Sequence, residues 1–213
     1  DPTLTLCLPE SLTISSGLDA ISHAFESVWN KNATPVSIGL ATQSLAISLK
    51  TLPKIKANPH DLTNRSAMMS ASLLAGMAIS QTRTALAHSI SYPLTLGFGL
   101  PHGIACSFTL PELLKFNTGA DDGRLRCLAV TLGYKDTLRL VDALNKLLIS
   151  LGVPNFFSVC GLKGELALAL THEMLTPGRA DNNLRPVSVD EVYAIINDTF
   201  QCYSSNLENR NRE

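Results

Sequence analysis

Charge is scarce in this chain. Only 16% of its 213 residues are charged, against about a quarter in an ordinary soluble domain. Seventeen basic and eighteen acidic residues leave a net charge of -1. No basic block or stripe breaks that balance, which argues against nucleic-acid binding. Paired cysteines are missing as well. Cys7, Cys106, Cys127, Cys160 and Cys202 are odd in number and form no CxxC, which suits neither a disulfide framework nor a zinc ribbon and predicts reduced thiols in a cytoplasmic protein. The most apolar window, Ala71 to Ile79, is broken by Ser72 and Gly76 and falls far short of the roughly 20 residues of a membrane helix. Apolar β-branched runs alternating with helices, the mark of a doubly wound sheet, are absent. So are GxSxG, Walker and kinase motifs, which leaves nucleophilic and phosphoryl chemistry without an anchor. The start, Asp1-Pro2-Thr3, has no Met and no signal-peptide pattern, and it reads as the continuation of a longer chain.

What is present is a 45% hydrophobic composition, enough to exclude disorder and to fill the core of one domain. Helical periodicity dominates, and the expected class is mainly α. Thr34 before Pro35 caps a helix predicted to stop near Pro53. Asp61 opens another through about Thr82. Ser188 and Glu191 form a capping box ahead of Val192, Ile195, Ile196 and Phe200. Further helices are expected over Leu12 to Trp29, Ala85 to Tyr92, His102 to Phe116, Leu125 to Leu132, Thr137 to Leu151 and Lys163 to Glu173. Only Leu4 to Leu8 alternates as a strand would. The reading is one domain, 1–213, with a lead-in segment over 1–10 and a polar, frayed tail over 204–213.

The glycine-rich stretch Gly97 to Gly103 is not GxGxxG, has no strand before it, and loses an amide at Pro101, so it is a poor phosphate cradle. Chemistry falls to the histidines. Asp19 and His23, four residues apart in a helical pattern, emerge on one face. That spacing serves two ligands of one metal or a simple surface pair. His88, within Leu86-Ala87-His88-Ser89-Ile90, fits a core histidine or a ligand. His102 follows Pro101 at an expected helix start. One Asp and three His make a nitrogen and oxygen set suited to Fe²⁺ or Zn²⁺.

These residues also carry a resemblance. Asp1-Pro2, Leu8-Pro9, Ser16-Gly17-Leu18-Asp19-Ala20, Ser22-His23-Ala24, Ala33-Thr34-Pro35, Ser72 to Gly76, His88, Pro93-Leu94, Pro101-His102-Gly103 and Leu110-Pro111 resemble the C-terminal, metal-binding half of the iron-containing alcohol dehydrogenases. The match is dense over 1–120 and loose beyond. The resemblance implies a helical bundle of dehydroquinate synthase-like type, without the dinucleotide-binding domain that precedes it in the family. It implies Asp19, His23, His88 and His102 as ligands of a divalent metal, Fe²⁺ or Zn²⁺. It further implies a small alcohol or aldehyde substrate, hydride exchange with NAD or NADP held by a cofactor domain in cis or in trans, and a homodimer.

Two departures stand out. Tyr92 takes a position where many members carry a further His, which makes it either a candidate proton relay with a less suitable pKa, about 10 against about 6.5, or a ring that simply packs before Pro93. Gln81-Thr82-Arg83-Thr84 replaces a neutral, glycine-containing turn. Arg83 is therefore a candidate clamp for an anionic substrate group, as in members resembling phosphonoacetaldehyde reductases. Arg179 and Arg185 are candidate helpers or plain surface residues. A chain of this kind without its cofactor domain is expected to be inactive alone. The rival reading is a helical interaction or scaffold domain that retains the fold and turns nothing over.

Overall fold

The computed structural model describes residues 1–210, and eleven α-helices joined by short turns account for most of them. In chain order these are α1 (Glu10–Val28), α2 (Pro35–Ala57), α3 (Leu62–Thr82), α4 (Leu86–Phe98), α5 (His102–Ser107), α6 (Leu110–Asn117), α7 (Arg124–Thr131), α8 (Thr137–Leu151), α9 (Val153–Val159), α10 (Gly164–Ala169) and α11 (Val189–Arg210). The mainly α class read from the sequence is the one observed.

α1 is the hub. Ile14, Leu18, Ile21, Phe25 and Val28 form a buried stripe, and the other sides of the helix are covered as well. It packs against α2, α3 and α5. Small residues let these helices close on it. A Cβ on Gly103 of α5 would lie 1.8 Å from the Ser15 carbonyl oxygen of α1, so only glycine allows that approach. This close contact, rather than phosphate binding, is what the structure assigns to Gly103 in the glycine-rich stretch.

The caps follow the sequence closely. Thr34 and Ser37 bond reciprocally at the start of α2, Asp61 accepts from the Asn64 amide at α3, and Ser188 and Glu191 close their box at α11. Each cap satisfies amides that a helix start leaves open.

Several boundaries differ from expectation. α2 continues through Pro53 to Ala57 and α4 through Pro93 to Phe98. The lost backbone bond is outweighed at both places by burial, of Leu52 and Ile55 in one and Leu94 in the other. The helix expected from His102 to Phe116 is two, α5 and α6, with Pro111 in the first turn of the second. That expected over Lys163 to Glu173 ends at Ala169 and resumes as a 3₁₀ turn, Thr171–Glu173. α9 was not expected. It starts where Gly152, at φ 84°, ends α8.

The alternating segment Leu4 to Leu8 is not a strand. Pro2–Thr5 is a 3₁₀ turn capped by Asp1, and the described residues offer no strand for it to pair with. Of the tail expected over 204–213, residues through Arg210 are helical, and 211–213 lie outside the described residues. No single described helix is long and apolar enough to cross a membrane. α8 and α9 meet that test only jointly, across a 49° bend.

Candidate metal centre

Three elements converge on one point. α1 brings Asp19 and His23, α4 brings His88, and the first residue of α5 is His102. Asp19 Oδ1 lies 3.8 Å from His23 Nε2, 3.5 Å from His88 Nε2 and 3.8 Å from His102 Nε2. With ligand bonds of about 2.0–2.2 Å, tetrahedral donors stand roughly 3.4 Å apart. The spacing therefore suits a single divalent ion. Asp19 Oδ1 and His88 Nε2 are both buried atoms with no hydrogen-bond partner. Buried polar atoms are rarely left unpaired, and an ion between them would satisfy both. The donor set and these two orphaned atoms fit the metal that the sequence resemblance implies.

The imidazoles are packed against one another. The His23 and His88 rings stack with centroids 4.7 Å apart, and His88 meets His102 edge-on at 5.4 Å. Burial lowers the pKa of His23 and of His102, only partly opposed by the Asp19 charge. Both are thus favoured as neutral, metal-competent rings. For His88 burial also acts downward, but the Glu26 charge and the adjoining Asp19, Cys106 and Glu26 side chains outweigh it and raise the pKa. Burial would raise the pKa of Asp19, yet the neighbouring His88 and the other imidazoles lower it.

Glu26 was not singled out from the sequence. It is fully buried. Its Oε2 lies 2.7 Å from His88 Nδ1 and accepts from the Ala85 amide at 2.9 Å, while Oε1 accepts from the His88 amide at 3.1 Å. With Nδ1 engaged, His88 turns Nε2 toward Asp19. The available signal was positional: residues 19, 23 and 26 share one helical face, and a carboxylate among apolar α1 residues must have a partner. Cys106 was likewise read only as a reduced thiol. Its Sγ is 3.4 Å from His102 Nε2, and it forms a compact donor group with Asp19, His88 and His102.

Tyr92 stacks on His102 with centroids 6.2 Å apart. Burial pushes its phenol above the ordinary value, although the Arg179 charge pulls the other way. The Arg179 guanidinium lies 4.4 Å from the centre of the Tyr92 ring, a cation–π contact. Arg185 instead pairs with Glu191 and covers Phe116, so it fastens α11 to α6.

Arg83 sits at the end of α3 with φ 67° and ψ 171°, a region nearly reserved for glycine that costs a larger residue about 1–3 kcal/mol. The side chain is exposed. The turn is held in place by Asn30, which donates to the Arg83 carbonyl, by Asn182, which donates to that of Thr84, and by the Glu26 bond to Ala85. These bonds fix the path that delivers His88.

The chain is similar to known proteins over most of its length. Residues 13–200 match the model of the Fe-containing alcohol dehydrogenase family, C-terminal. An NAD-dependent methanol dehydrogenase of Bacillus methanolicus is 32% identical over 92% of this chain and 54% of its own length. A phosphonoacetaldehyde reductase of Streptomyces viridochromogenes is 33% identical over 82% of this chain and 47% of its own. Among solved structures, sulfoacetaldehyde reductase from Bifidobacterium kashiwanohense in complex with NAD+ superposes with a TM-score of 0.86 at 31% identity, over 93% of this chain and 53% of that one. The chain thus spans about half the length of these relatives. With the family's C-terminal model matched from 13 to 200 on a helical fold shared with its solved members, the chain belongs to the Fe-containing alcohol dehydrogenase family.

Proposed function

We propose that the chain is the metal-binding part of an NAD(P)-dependent alcohol dehydrogenase or aldehyde reductase. The carrying observation is the convergence of three imidazole Nε2 atoms within 3.5–3.8 Å of one Asp19 oxygen. Asp19, His23, His88 and His102 would hold Fe²⁺ or Zn²⁺, which supplies a Lewis acid for an alcohol or aldehyde oxygen. The chain's own residues do the remaining work. Glu26 holds the His88 ring in register. Tyr92, which keeps its proton at neutral pH, is the hydrogen-bond donor and proton source on the His102 side of the metal centre. A nicotinamide carried by a dinucleotide-binding domain, in cis or in trans, would supply the hydride acceptor or donor, and the chain in this reading is inactive without that domain. The sulfoacetaldehyde reductase structure bound to NAD+ supports that partner. Five cysteines outside any disulfide are in keeping with a cytoplasmic setting, and a homodimer is the assembly in this reading.

The substrate class in this reading is a small aldehyde or alcohol bearing an anionic group. Arg83 is the residue proposed from sequence. Arg179 is better placed, because it lies on the Tyr92 ring that stacks on His102.

The test has two parts. The full-length protein purified without chelator is expected to hold close to one Fe or Zn per chain, and His102→Ala to lose it. A wild type that stays metal-free after reconstitution would defeat the enzyme reading in favour of a scaffold. In the enzyme reconstituted with its dinucleotide-binding domain and coenzyme, Arg179→Ala and Arg83→Ala are expected to raise KM for a phosphonate or sulfonate aldehyde far more than for a neutral one. Equal effects on both substrates would remove the anionic-substrate reading.

A further inference from the structure

We propose that Cys106 is a thiolate ligand of the metal held by Asp19, His88 and His102, and that it biases the site toward Zn²⁺ over Fe²⁺. The inference rests on the metal reading above and sharpens it.

The first argument is placement. Asp19 and His23 are four residues apart on α1; His102 and Cys106 are four residues apart on α5. Each pair occupies one turn of one helical face. α5 lies against α1 closely enough that no residue but glycine fits at 103. The two pairs are thereby pressed toward one point, and His88 arrives from α4 between them.

The second argument is distance. Cys106 Sγ is 3.4 Å from His102 Nε2, the nitrogen that faces Asp19, and 3.7 Å from His102 Nδ1, so the thiol stands beside the ring within reach of the other donor atoms. Zinc bonds of about 2.3 Å to sulfur and 2.0–2.1 Å to nitrogen put tetrahedral S and N donors roughly 3.5 Å apart. The ligand atoms of Asp19, His88, His102 and Cys106 all lie within 4.8 Å of one another. His23 is outside that group, although its Nε2 is 3.8 Å from Asp19 and its ring stacks on His88. The thiol is therefore placed to join Asp19, His88 and His102 as a further donor beside His23.

The third argument is ligand chemistry. An Asp and three His form a set that accepts Fe²⁺ readily. A soft sulfur donor favours zinc and other thiophilic ions. Coordination replaces the S–H bond by an S–metal bond and releases one proton to solvent, so no oxidant or reductant is required. A ligated thiol also explains why a buried cysteine should stand among imidazoles rather than an inert aliphatic residue.

Cobalt substitution tests the idea without reference to activity. The full-length chain, stripped of metal and loaded with Co²⁺, is expected to show visible d–d bands together with a near-ultraviolet sulfur-to-cobalt charge-transfer band. Cys106→Ser and Cys106→Ala should lose the second band and keep the first, and their preference for Zn²⁺ over Fe²⁺ in competition should fall. Visible bands without the charge-transfer band in the wild type overturn the Cys106 assignment and leave the metal reading intact. A charge-transfer band that persists in both variants also overturns it. Failure of the wild type to take up Co²⁺, Zn²⁺ or Fe²⁺ overturns the metal reading and this inference with it.

Discussion

Glu26 shows how one buried carboxylate can govern a site it does not enter. It accepts from two backbone amides and engages His88 Nδ1. Glu26→Gln leaves one acceptor oxygen for three donors, so at least one buried N–H loses its partner. That loss costs about 1–3 kcal/mol, and the His88 ring is no longer held with Nε2 toward Asp19. The expected outcome is a lower urea midpoint together with metal affinity reduced on the order of 10–100-fold, read by titration calorimetry with Zn²⁺. Unchanged affinity would show that His88 needs no such orientation. At this scale the sequence offered four candidates, Asp19 and His23 by their one-turn spacing and His88 and His102 by their settings, and the resemblance joined them into one ligand set. Glu26 escaped because its partner is tertiary, and Cys106 because its local pairing with His102, one helical turn earlier, gains meaning only beside Asp19. Glu26 meets His88 across 62 positions, and Cys106 meets Asp19 only once α5 has packed on α1. Arg179 reaches Tyr92 in the same way, from a distant loop.

At the scale of elements, the helix starts were readable where a side chain bonds its own backbone, as at Thr34, Asp61 and Ser188. Such bonds are local and need no tertiary information. The ends were less so. Pro53 and Pro93 look like stops, but each lies on a helix whose later residues are buried, and packing overrides the local preference. The apparent strand near Leu4 failed for the complementary reason: alternation makes a strand only where another strand is there to pair. The α1–α5 contact makes a sharper prediction. In Gly103→Ala the new methyl would overlap the Ser15 carbonyl, backbone against backbone, with no flexible atom to give way. α5 must then shift from α1, at about 1–3 kcal/mol for overpacking, and it carries His102 and Cys106 with it. We expect both a lower unfolding midpoint and loss of bound metal, measured by urea titration and by metal analysis. Metal retained at wild-type content would mean that close packing of α5 is not what assembles the centre.

For the whole molecule, the candidate centre is where separate parts of the chain are tied together. Its donors come from α1, α4 and α5, and the turn that orients α4 is pinned by Asn30, Glu26 and Asn182. An ion that binds the folded chain and not the unfolded one should therefore stabilise the entire domain. Free metal at about 100 times Kd contributes about 2.7 kcal/mol. For a chain of this size each kcal/mol moves Tm by about 2–4 °C, so chelation is expected to lower Tm by roughly 5–11 °C. His102 has a side chain 43% exposed, so replacing it by Ala removes little packing. His102→Ala should thus melt near the metal-free wild type and no longer respond to chelator. This pattern separates a ligand from a structural residue: a structural role would lower Tm with and without metal, whereas a ligand role removes only the metal-dependent part. A chelator response that survives in His102→Ala would place the stabilising ion elsewhere in the molecule.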